Sequence, residues 1–539
     1  MNTKTRHLAA LLAAALLTGA LASVVQTQFS LGALLAFGAP LTASLWLATT
    51  VQDVATFAPV MMGISLVALV LAFGVAHILL RFTRIHARTA LFGVAAVAGL
   101  ATAFALMRWV IPMPALPGTR DWAGYVLMSL CALPAGLLYA RMTSPERFAA
   151  RPPRERPAWR DGLLAGVLVL IPAALFAITA PRPGTPPAVA HPTSYTVQTV
   201  AGGLNRPWSV AFLPDGRVLV TEMGGRLRAI ARDGSSTDIA LAGLPPIFHR
   251  GGVSGLMEVA LDPDFARNAR LFLTMGYGEP HADGTRLVSA RLVGDQLEDV
   301  RVLYSATLKS TAGNNGGRLA FLGDGTLVLT VGDGNARREE AQNRANPLGT
   351  VVRLTRDGAI PADNPYTQQP GVTPEIYSLG HRNAQGIAVD PATGELLVTE
   401  HGARGGDEIN HVVAGGNYGW PLITGGIDYP FARITPFQRL EGYEDPILDW
   451  TPSIAPAGLA IYRGALFPEW RGDLLVPALK ERAVRRVMRD GQRITGQQLL
   501  FSELGERMRD VKVAPDGAVY VLTDGVDARL LRVTPAAAK

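Results

Sequence analysis

Three stretches in the C-terminal part of the chain concentrate side chains that hold ions or move protons. One is Gly380-His381-Arg382-Asn383-Ala384-Gln385-Gly386. A second is Glu400-His401-Gly402-Ala403-Arg404-Gly405-Gly406-Asp407-Glu408-Ile409-Asn410, followed by Gly416-Asn417-Tyr418-Gly419-Trp420-Pro421. The third is a pair of cationic pieces, Leu479-Lys480 and Arg507-Met508-Arg509-Asp510. Arginine grips carboxylates through two parallel N–H bonds, and lysine acts on an oxygen as a point charge. In isolation, an Arg-x-Arg is usually a solvated strand edge, and Asp407-Glu408 is the charged tip of a turn. A joint chemistry needs elements that bring these loops to one place.

A repeated unit supplies such elements. It is a short apolar strand, a Pro-Asp-Gly type turn, a second apolar strand ending in Thr, and then Gly. It reads SVAFLPDGRVLVTEMGG from Ser209, EVALDPDFARNARLFLTMGYG from Glu258 and RLAFLGDGTLVLTVGDG from Arg318. It recurs as GIAVDPATGELLVTEHG from Gly386, in degenerate form from Gly458, and as DVKVAPDGAVYVLTDG from Asp510. β-Branched and aliphatic alternation makes strands, and the Asp-Gly pairs supply the positive φ of tight turns. Six copies with almost no helical periodicity predict a six-bladed all-β propeller, with the long inter-repeat stretches as loops on one face.

On these motifs, residues 196–535 resemble the PQQ-dependent sugar dehydrogenases, the family of soluble glucose dehydrogenase and aldose sugar dehydrogenase. The resemblance implies a PQQ site on the loop face, with Arg382, Asn383, His401, Lys480, Arg507 and Arg509 at cofactor positions and Ser453 beside them. A planar o-quinone with three carboxylates calls for such fixed cations. It also implies Ca²⁺: the carbonyls of Gly402 and Ala403 match a metal bridging to the cofactor, and Glu408 and Tyr418 match a structural one, with Asp407 beside them. Hard oxygen ligands suit calcium. Arg382 and His401 fall among the catalytic positions. The sequence departs from the family where its catalytic histidine is expected, four residues before Arg318. Asn314 stands there, in Gly313-Asn314-Asn315-Gly316-Gly317-Arg318-Leu319. Val253 occupies a place where the family sets a Gln or Glu near the sugar, and Ala403 replaces a usual proline. Asparagine orients a hydroxyl but cannot take its proton, and general-base catalysis contributes about 10²–10⁴-fold. His401, Asp407 or a water between them is the alternative base.

The N-terminal part belongs to another solvent. Mean hydropathy is +0.21 with 17% charged residues, and the apolar excess sits in residues 1–180. Five runs reach the length of about 20 residues that a hydrocarbon core demands: Leu8–Val25, Phe57–Leu80, Ala90–Met107, Ala123–Ala140 and Leu163–Ala180. They predict an all-α transmembrane bundle, residues 1–180, joined by the Pro-rich linker 181–194 to the propeller at 195–539. Lys4 and Arg6 precede the first run; Arg81, Arg84 and Arg88 follow the second; Arg141, Arg147, Arg151, Arg154, Arg156 and Arg160 crowd the fourth loop. The intervening loops carry Asp53 alone, and Arg108, Arg120 and Asp121. Every second loop is basic, which puts the amino terminus inside and the propeller outside, in the periplasm of a bacterial inner membrane. Small residues at Ala20–Ser23 also suit a cleaved signal peptide; four further runs favour a retained helix. Leu31–Val51, broken by Gly38 and Pro40, reads as an outer loop or re-entrant segment. His77, deep in a run, either packs in the bundle or serves a quinone or proton. The net charge of +6 lies largely in the membrane loops and does not signal nucleic-acid binding, and the single cysteine, Cys131, excludes intrachain disulfides.

Two functions remain open on this reading. One is a membrane-anchored quinoprotein oxidising an aldose or other alcohol, with membrane quinone as acceptor by analogy to anchored glucose dehydrogenases. The other is a catalytically silent propeller that binds PQQ, a sugar or an envelope partner.

Overall fold

The computed structural model describes residues 3–83, 87–110, 116–144, 158–179, 194–310, 313–335 and 338–536. They fall into two units, Met1–Arg182 with Ile427–Pro436, and Pro183–Gly426 with Phe437–Lys539. The basic loop at 145–157 and the linker up to residue 193 lie outside the described residues.

The first unit is helical: α1 (Thr3–Ala36), α2 (Ala43–Thr56), α3 (Ala58–Phe82), α4 (Arg88–Val110), α5 (Trp122–Leu130), α6 (Ala132–Met142) and α7 (Ala158–Thr179). Four stretches are long and apolar enough to cross a membrane: Lys4–Ala36, Ala58–Phe82, Arg88–Val110 and Trp122–Met142. On α3, Met61, Leu69, Phe73 and Ala76 are buried while Val67, Leu71, Val75 and Ile78 are exposed. An outer face that apolar suits lipid rather than water. Within Trp122–Met142 the helix breaks at Cys131, because Pro134 has no N–H for the carbonyl one turn back. The fifth expected span coincides with α7, whose described apolar stretch, Gly166–Ile178, is shorter.

The stretch read as an outer loop or re-entrant segment, Leu31–Val51, is largely helical. α1 runs on to Ala36, and after the Gly38–Pro40 break Thr42 caps α2 by accepting from the Leu45 N–H at 3.2 Å. At 1.5 Å per residue α2 rises only about 21 Å, short of the hydrocarbon thickness of about 30 Å. His77 packs within the bundle, its Nε2 3.2 Å from the Tyr139 hydroxyl, which also meets His7 Nδ1 at 2.9 Å.

The second unit is a six-bladed β-propeller, each blade a four-stranded antiparallel sheet. Blades one to five are β2–β5 (Pro207–Ile239), β6–β9 (Leu256–Ser305), β10–β13 (Gly316–Leu379), β14–β17 (Ala384–Trp450) and β18–β21 (Ala460–Leu500). The sixth takes β22–β24 (Met508–Pro535) and, as its outer strand, β1 (Tyr195–Leu204). Pairing of Thr196 with Thr534 and Val197 with Val533 thus closes the ring with its own N-terminal strand. Each of the six sequence repeats forms the first two strands of a blade. Second strands such as Val218–Glu222, Leu327–Val331 and Leu396–Glu400 are buried throughout, which is why they read as near-continuous apolar runs.

The residues that open the repeats meet in the interior. Arg318 bridges Glu258 at 3.0 Å and Asp510 at 3.1 Å, all three nearly fully buried, and its Nε donates to the Gln385 carbonyl at 2.7 Å. Ser209 donates to Glu258 at 2.6 Å. The opening residues of the fourth and fifth repeats must be glycine: a Cβ on Gly386 would stand 2.6 Å from the Ala457 carbonyl oxygen, and one on Gly458 2.1 Å from Asp510. Loops at the end where first strands begin and second strands finish carry the motif residues.

Candidate active site

Arg382 enters from the turn before β14. Its backbone N–H donates to Glu400 at 2.7 Å, and its Nη1 donates to the carbonyls of Gly402 at 2.7 Å and His401 at 3.2 Å. Its guanidinium also lies over the Trp420 ring, 5.4 Å from the centroid. Glu400 is the organiser beneath: its other oxygen meets His381 Nδ1 and Asn410 Nδ2, each at 2.8 Å. His381 is buried, stacks on Tyr418 at 4.6 Å, and has its second nitrogen at 2.9 Å from Ser378. Asn383, also buried, accepts from the Gly316 N–H at 3.1 Å and so ties this turn to the third blade.

His401 sits between two arginines. Its Nε2 donates to the Pro456 carbonyl at 2.6 Å. Burial, and then the charges of Arg382 and Arg509, push its imidazole down to about 3. It is therefore neutral at ordinary pH and a weak proton acceptor. Asp407 is equally committed: one carboxylate oxygen takes the Gly402 N–H and the other the Ala455 N–H, each at 2.8 Å. It staples the 402–407 loop to the 453–456 loop, where Ser453 accepts from the Ala455 N–H at 3.2 Å. Neither group is free to replace a missing base.

The remaining cations converge from the fifth and sixth blades. Lys480 is exposed, its backbone held to Ile454 at 3.1 Å. Arg507 and Arg509, on alternate positions entering β22, both grip Asp524, at 2.7 and 2.9 Å. Burial works against the Asp524 charge, but the two guanidiniums outweigh it and hold the carboxyl below its usual range. The Arg509 carbonyl accepts from Gly458 at 3.1 Å, which links it to the fifth blade.

Asn314 lies across from this group on the third blade. Its Nδ2 donates to Asp333 at 2.8 Å, while Trp420 Nε1 donates to the other oxygen of Asp333 at 2.8 Å and the Asp333 N–H donates to the Arg382 carbonyl at 2.9 Å. Val253 is 40% exposed, and its carbonyl accepts from Asn315 at 3.1 Å, so it borders the same turn.

The residues singled out in the sequence thus gather at one end of the propeller. Asp333, Glu400, Trp420 and Asp524 hold them there, and motif reading alone assigned these four no task. A signal existed. Glu222, Glu400 and Asp524 each follow the threonine that closes a repeat's second strand, and Asp333 lies three residues after its own.

The donor set fits an anionic, carboxylated cofactor, because among the described residues the side chains of Arg382, Lys480, Arg507 and Arg509 bond only one carboxylate, Asp524. The calcium positions divide. Around Glu408 the chemistry suits a hard cation. Glu400, Glu408 and Asp449 stand in register across β15 (Leu396–Glu400), β16 (Asp407–His411) and β17 (Leu448–Trp450), and the buried Oδ1 of Asn410 has no hydrogen-bond partner among the described residues. Burial and the neighbouring carboxylates Glu400, Asp449 and Asp407 raise Glu408 well above its usual range. No group of three or more His, Cys, Asp or Glu side chains closes on one point among the described residues, so a cation there would draw on amide and backbone oxygens as well. Tyr418 is otherwise engaged, its hydroxyl donating to the His411 carbonyl at 2.6 Å. The bridging position fits less well, because the Gly402 carbonyl already accepts from Arg382, a cation in the place of the metal.

A six-bladed propeller with this cationic loop face defines a class, the propeller sugar dehydrogenases. Residues 204–532 match the family described as Glucose / Sorbosone dehydrogenase, and the chain belongs to that family. It is 39% identical over 353 residues to aldose sugar dehydrogenase YliI of Escherichia coli, covering 64% of this chain and 94% of that one. It is 28% identical over 420 residues to quinoprotein glucose dehydrogenase B of Acinetobacter calcoaceticus, covering 62% and 87%. Among solved structures, the PQQ-bound aldose sugar dehydrogenase of Streptomyces coelicolor superposes with a TM-score of 0.50 at 27% identity, covering 64% of this chain and 99% of that chain.

Proposed function

We propose that the chain is a membrane-anchored quinoprotein that oxidises an aldose or other alcohol, with its helical part, residues 1–180, in a bacterial inner membrane. Its propeller, residues 195–539, works in the periplasm, and membrane quinone is the acceptor. The observation that carries this reading is the convergence of Arg382, Lys480, Arg507 and Arg509 at one end of the propeller. The names of the relatives, aldose sugar dehydrogenase and quinoprotein glucose dehydrogenase, support it. PQQ, when bound, supplies an o-quinone able to accept hydride from the carbon of an alcohol. The chain's own residues do the rest. Arg507 and Arg509 hold carboxylates, Lys480 offers a point charge to an oxygen, and the stapled 402–407 and 453–456 loops fix the pocket wall. Ca²⁺ belongs at Glu408, as a support for the 400–410 segment.

Asn314 favours a second reading, a propeller that binds without turning over. It cannot act as base, His401 is too weak a base, and Asp407 is fully bonded. One experiment separates the two. An absorbance titration of the detergent-purified protein with PQQ and Ca²⁺ is followed by a panel of aldoses. The enzyme reading expects slow oxidation that rises at least about tenfold in Asn314→His, with a new limb in the pH profile near the imidazole value of about 6.5. PQQ binding with no turnover in either protein leaves the binding role. Absence of PQQ binding defeats the enzyme reading and leaves a propeller that binds a sugar or an envelope partner.

A further inference from the structure

The connection from β16 to β17 in the fourth blade runs from Val412 to Ile447, and loops beyond about 15 residues usually serve a function. Its middle, Ile427–Pro436, belongs to the helical unit and not to the propeller unit. There it forms a tight hairpin. Ile427 pairs with Arg433, the Asp428 N–H donates to the Ala432 carbonyl at 2.9 Å, and the Phe431 N–H donates to the Asp428 carbonyl at 2.9 Å. Phe431 has left-handed backbone, φ 70°, which is strained for a bulky side chain and persists only where the surroundings hold it. Its ring packs edge-on against Phe176, in the last turn of α7, with centroids 4.7 Å apart. Ala432 is fully buried in the apolar core of the helices, and Ile434 and Thr435 are buried too. The helices meet this hairpin with a polar seat. α2 buries Thr49, Asp53 and Thr56, on the face a helix usually gives to aliphatic side chains. Asp53 accepts from the Thr27 hydroxyl of α1 at 2.7 Å on one oxygen and from the Arg433 N–H at 3.0 Å on the other. A buried carboxylate needs its donors, and among the described residues the Arg433 N–H is the only donor to that second oxygen.

We propose that residues 427–436 are an anchoring hairpin. This piece of the fourth-blade connection folds as part of the membrane unit, seated among α1, α2 and α7, with Asp53 as its lock. The seat is made for a segment of this same chain, because the buried acid on α2 is completed by a main-chain N–H of the hairpin. Seating requires Asp53 and the propeller to lie on one side of the membrane. The alternation of basic loops, which takes no account of the hairpin, puts the 26–56 loop and the propeller on the same side. The chain then has two holds on its membrane part, the linker 181–194 and this hairpin. Neither PQQ nor catalysis enters the inference; it rests only on the membrane reading of the helices.

Cutting one hold tests the other. In the full chain in membrane vesicles, a protease site placed between Pro186 and Pro187 is cleaved, and the vesicles are sedimented and washed with salt. The cut propeller stays with the vesicles. Asp53→Ala leaves the Arg433 N–H and the Thr27 hydroxyl without their acceptor, and raises the released fraction at least about fivefold. Asp53→Asn keeps an acceptor and retains the propeller. Ala432→Arg, too large for a fully buried position, releases most of it. A cysteine pair reports the seating directly. With Cys131→Ser removing the native thiol, Phe176→Cys and Phe431→Cys are joined by a short thiol-to-thiol reagent, so the two fragments run as one band after cleavage. Adding Ala432→Arg to that chain abolishes the band. Full release of the cut wild-type propeller overturns the proposal. So does a propeller that both Asp53→Ala and Ala432→Arg leave in place, and so does a cysteine pair that fails to join. A full chain that does not sediment with membranes strikes the membrane reading instead, and the cysteine pair still decides the seating.

Discussion

Lys480 and Arg509 carry positive charge under opposite constraints, and substitution separates their roles. Lys480 is exposed and, among the described residues, bonded only through its backbone, so Lys480→Ala removes charge and leaves the fold alone. Arg509 is 6% exposed and shares Asp524 with Arg507, so Arg509→Ala also strands part of a buried carboxylate. We expect both changes to weaken PQQ binding by at least about 2 kcal/mol, the lower range for truncating one partner of a desolvated charge pair. Only the arginine change should lower the melting temperature as well. Absorbance titration and thermal unfolding read the two effects; unaltered PQQ affinity in both variants removes these residues from the pocket. Arg382, His401, Lys480 and Arg509 were legible in the sequence because several motifs agreed at once. Asp333 and Asp524 were not, since a single acid after a strand looks like turn chemistry, and only the folded chain shows which cation or amide it meets.

The propeller's elements explain why a charge cluster sits where no isolated strand would put it. β15, β16 and β17 pair Glu400 with Glu408 and Glu408 with Asp449, so two strand registers align three carboxylates. Like charges directly opposite destabilise a sheet. Glu408 is accordingly raised well above its usual value of 4.5, by burial first and by Glu400, Asp449 and Asp407 after it. The sign follows. A carboxyl with a raised folded value binds its proton more tightly folded than unfolded, so without metal the propeller loses stability as pH rises above about 4.5. Glu408→Gln should flatten that decline, and Ca²⁺ should offset it in the wild type but less in the variant. Melting temperatures across pH 4.5–8, with Ca²⁺ or with chelator, make the comparison; a wild type indifferent to both pH and Ca²⁺ removes the cation from Glu408. The hairpins that carry these strands were readable from alternation and Asp-Gly turns. Their register was not, because alternation along one strand does not say which residue of the next strand an acid will face. The closing strand β1 was equally silent, since Tyr195–Leu204 belongs to no repeat and finds its partner more than 300 residues away in Ala528–Pro535.

For the whole molecule, the compartment of the propeller's loop face depends on a count of crossings. Four helical stretches are long and apolar enough to span, and four crossings would return the chain to the side on which it began. The fifth expected span, α7, decides the outcome. Its 22 residues rise about 33 Å, enough for a hydrocarbon core of about 30 Å, although its described apolar stretch is only Gly166–Ile178. Its sequence extends that stretch toward Leu163, behind Arg160 and Asp161, and Pro172 within it is tolerated in membrane helices when neighbours satisfy the freed carbonyl. Charge supports five crossings. Arg141, Arg147, Arg151, Arg154, Arg156 and Arg160 precede α7, whereas the segment after it, 181–194, holds a single arginine, Arg182. Basic residues stay on the cytoplasmic side, so α7 should run outward and deliver the propeller to the periplasm. Alkaline phosphatase and fluorescent-protein fusions placed after Arg156 and after Pro186 should report opposite compartments, cytoplasmic for the first and periplasmic for the second. The same compartment for both would make α7 a surface helix and put the loop face of the propeller in the cytoplasm.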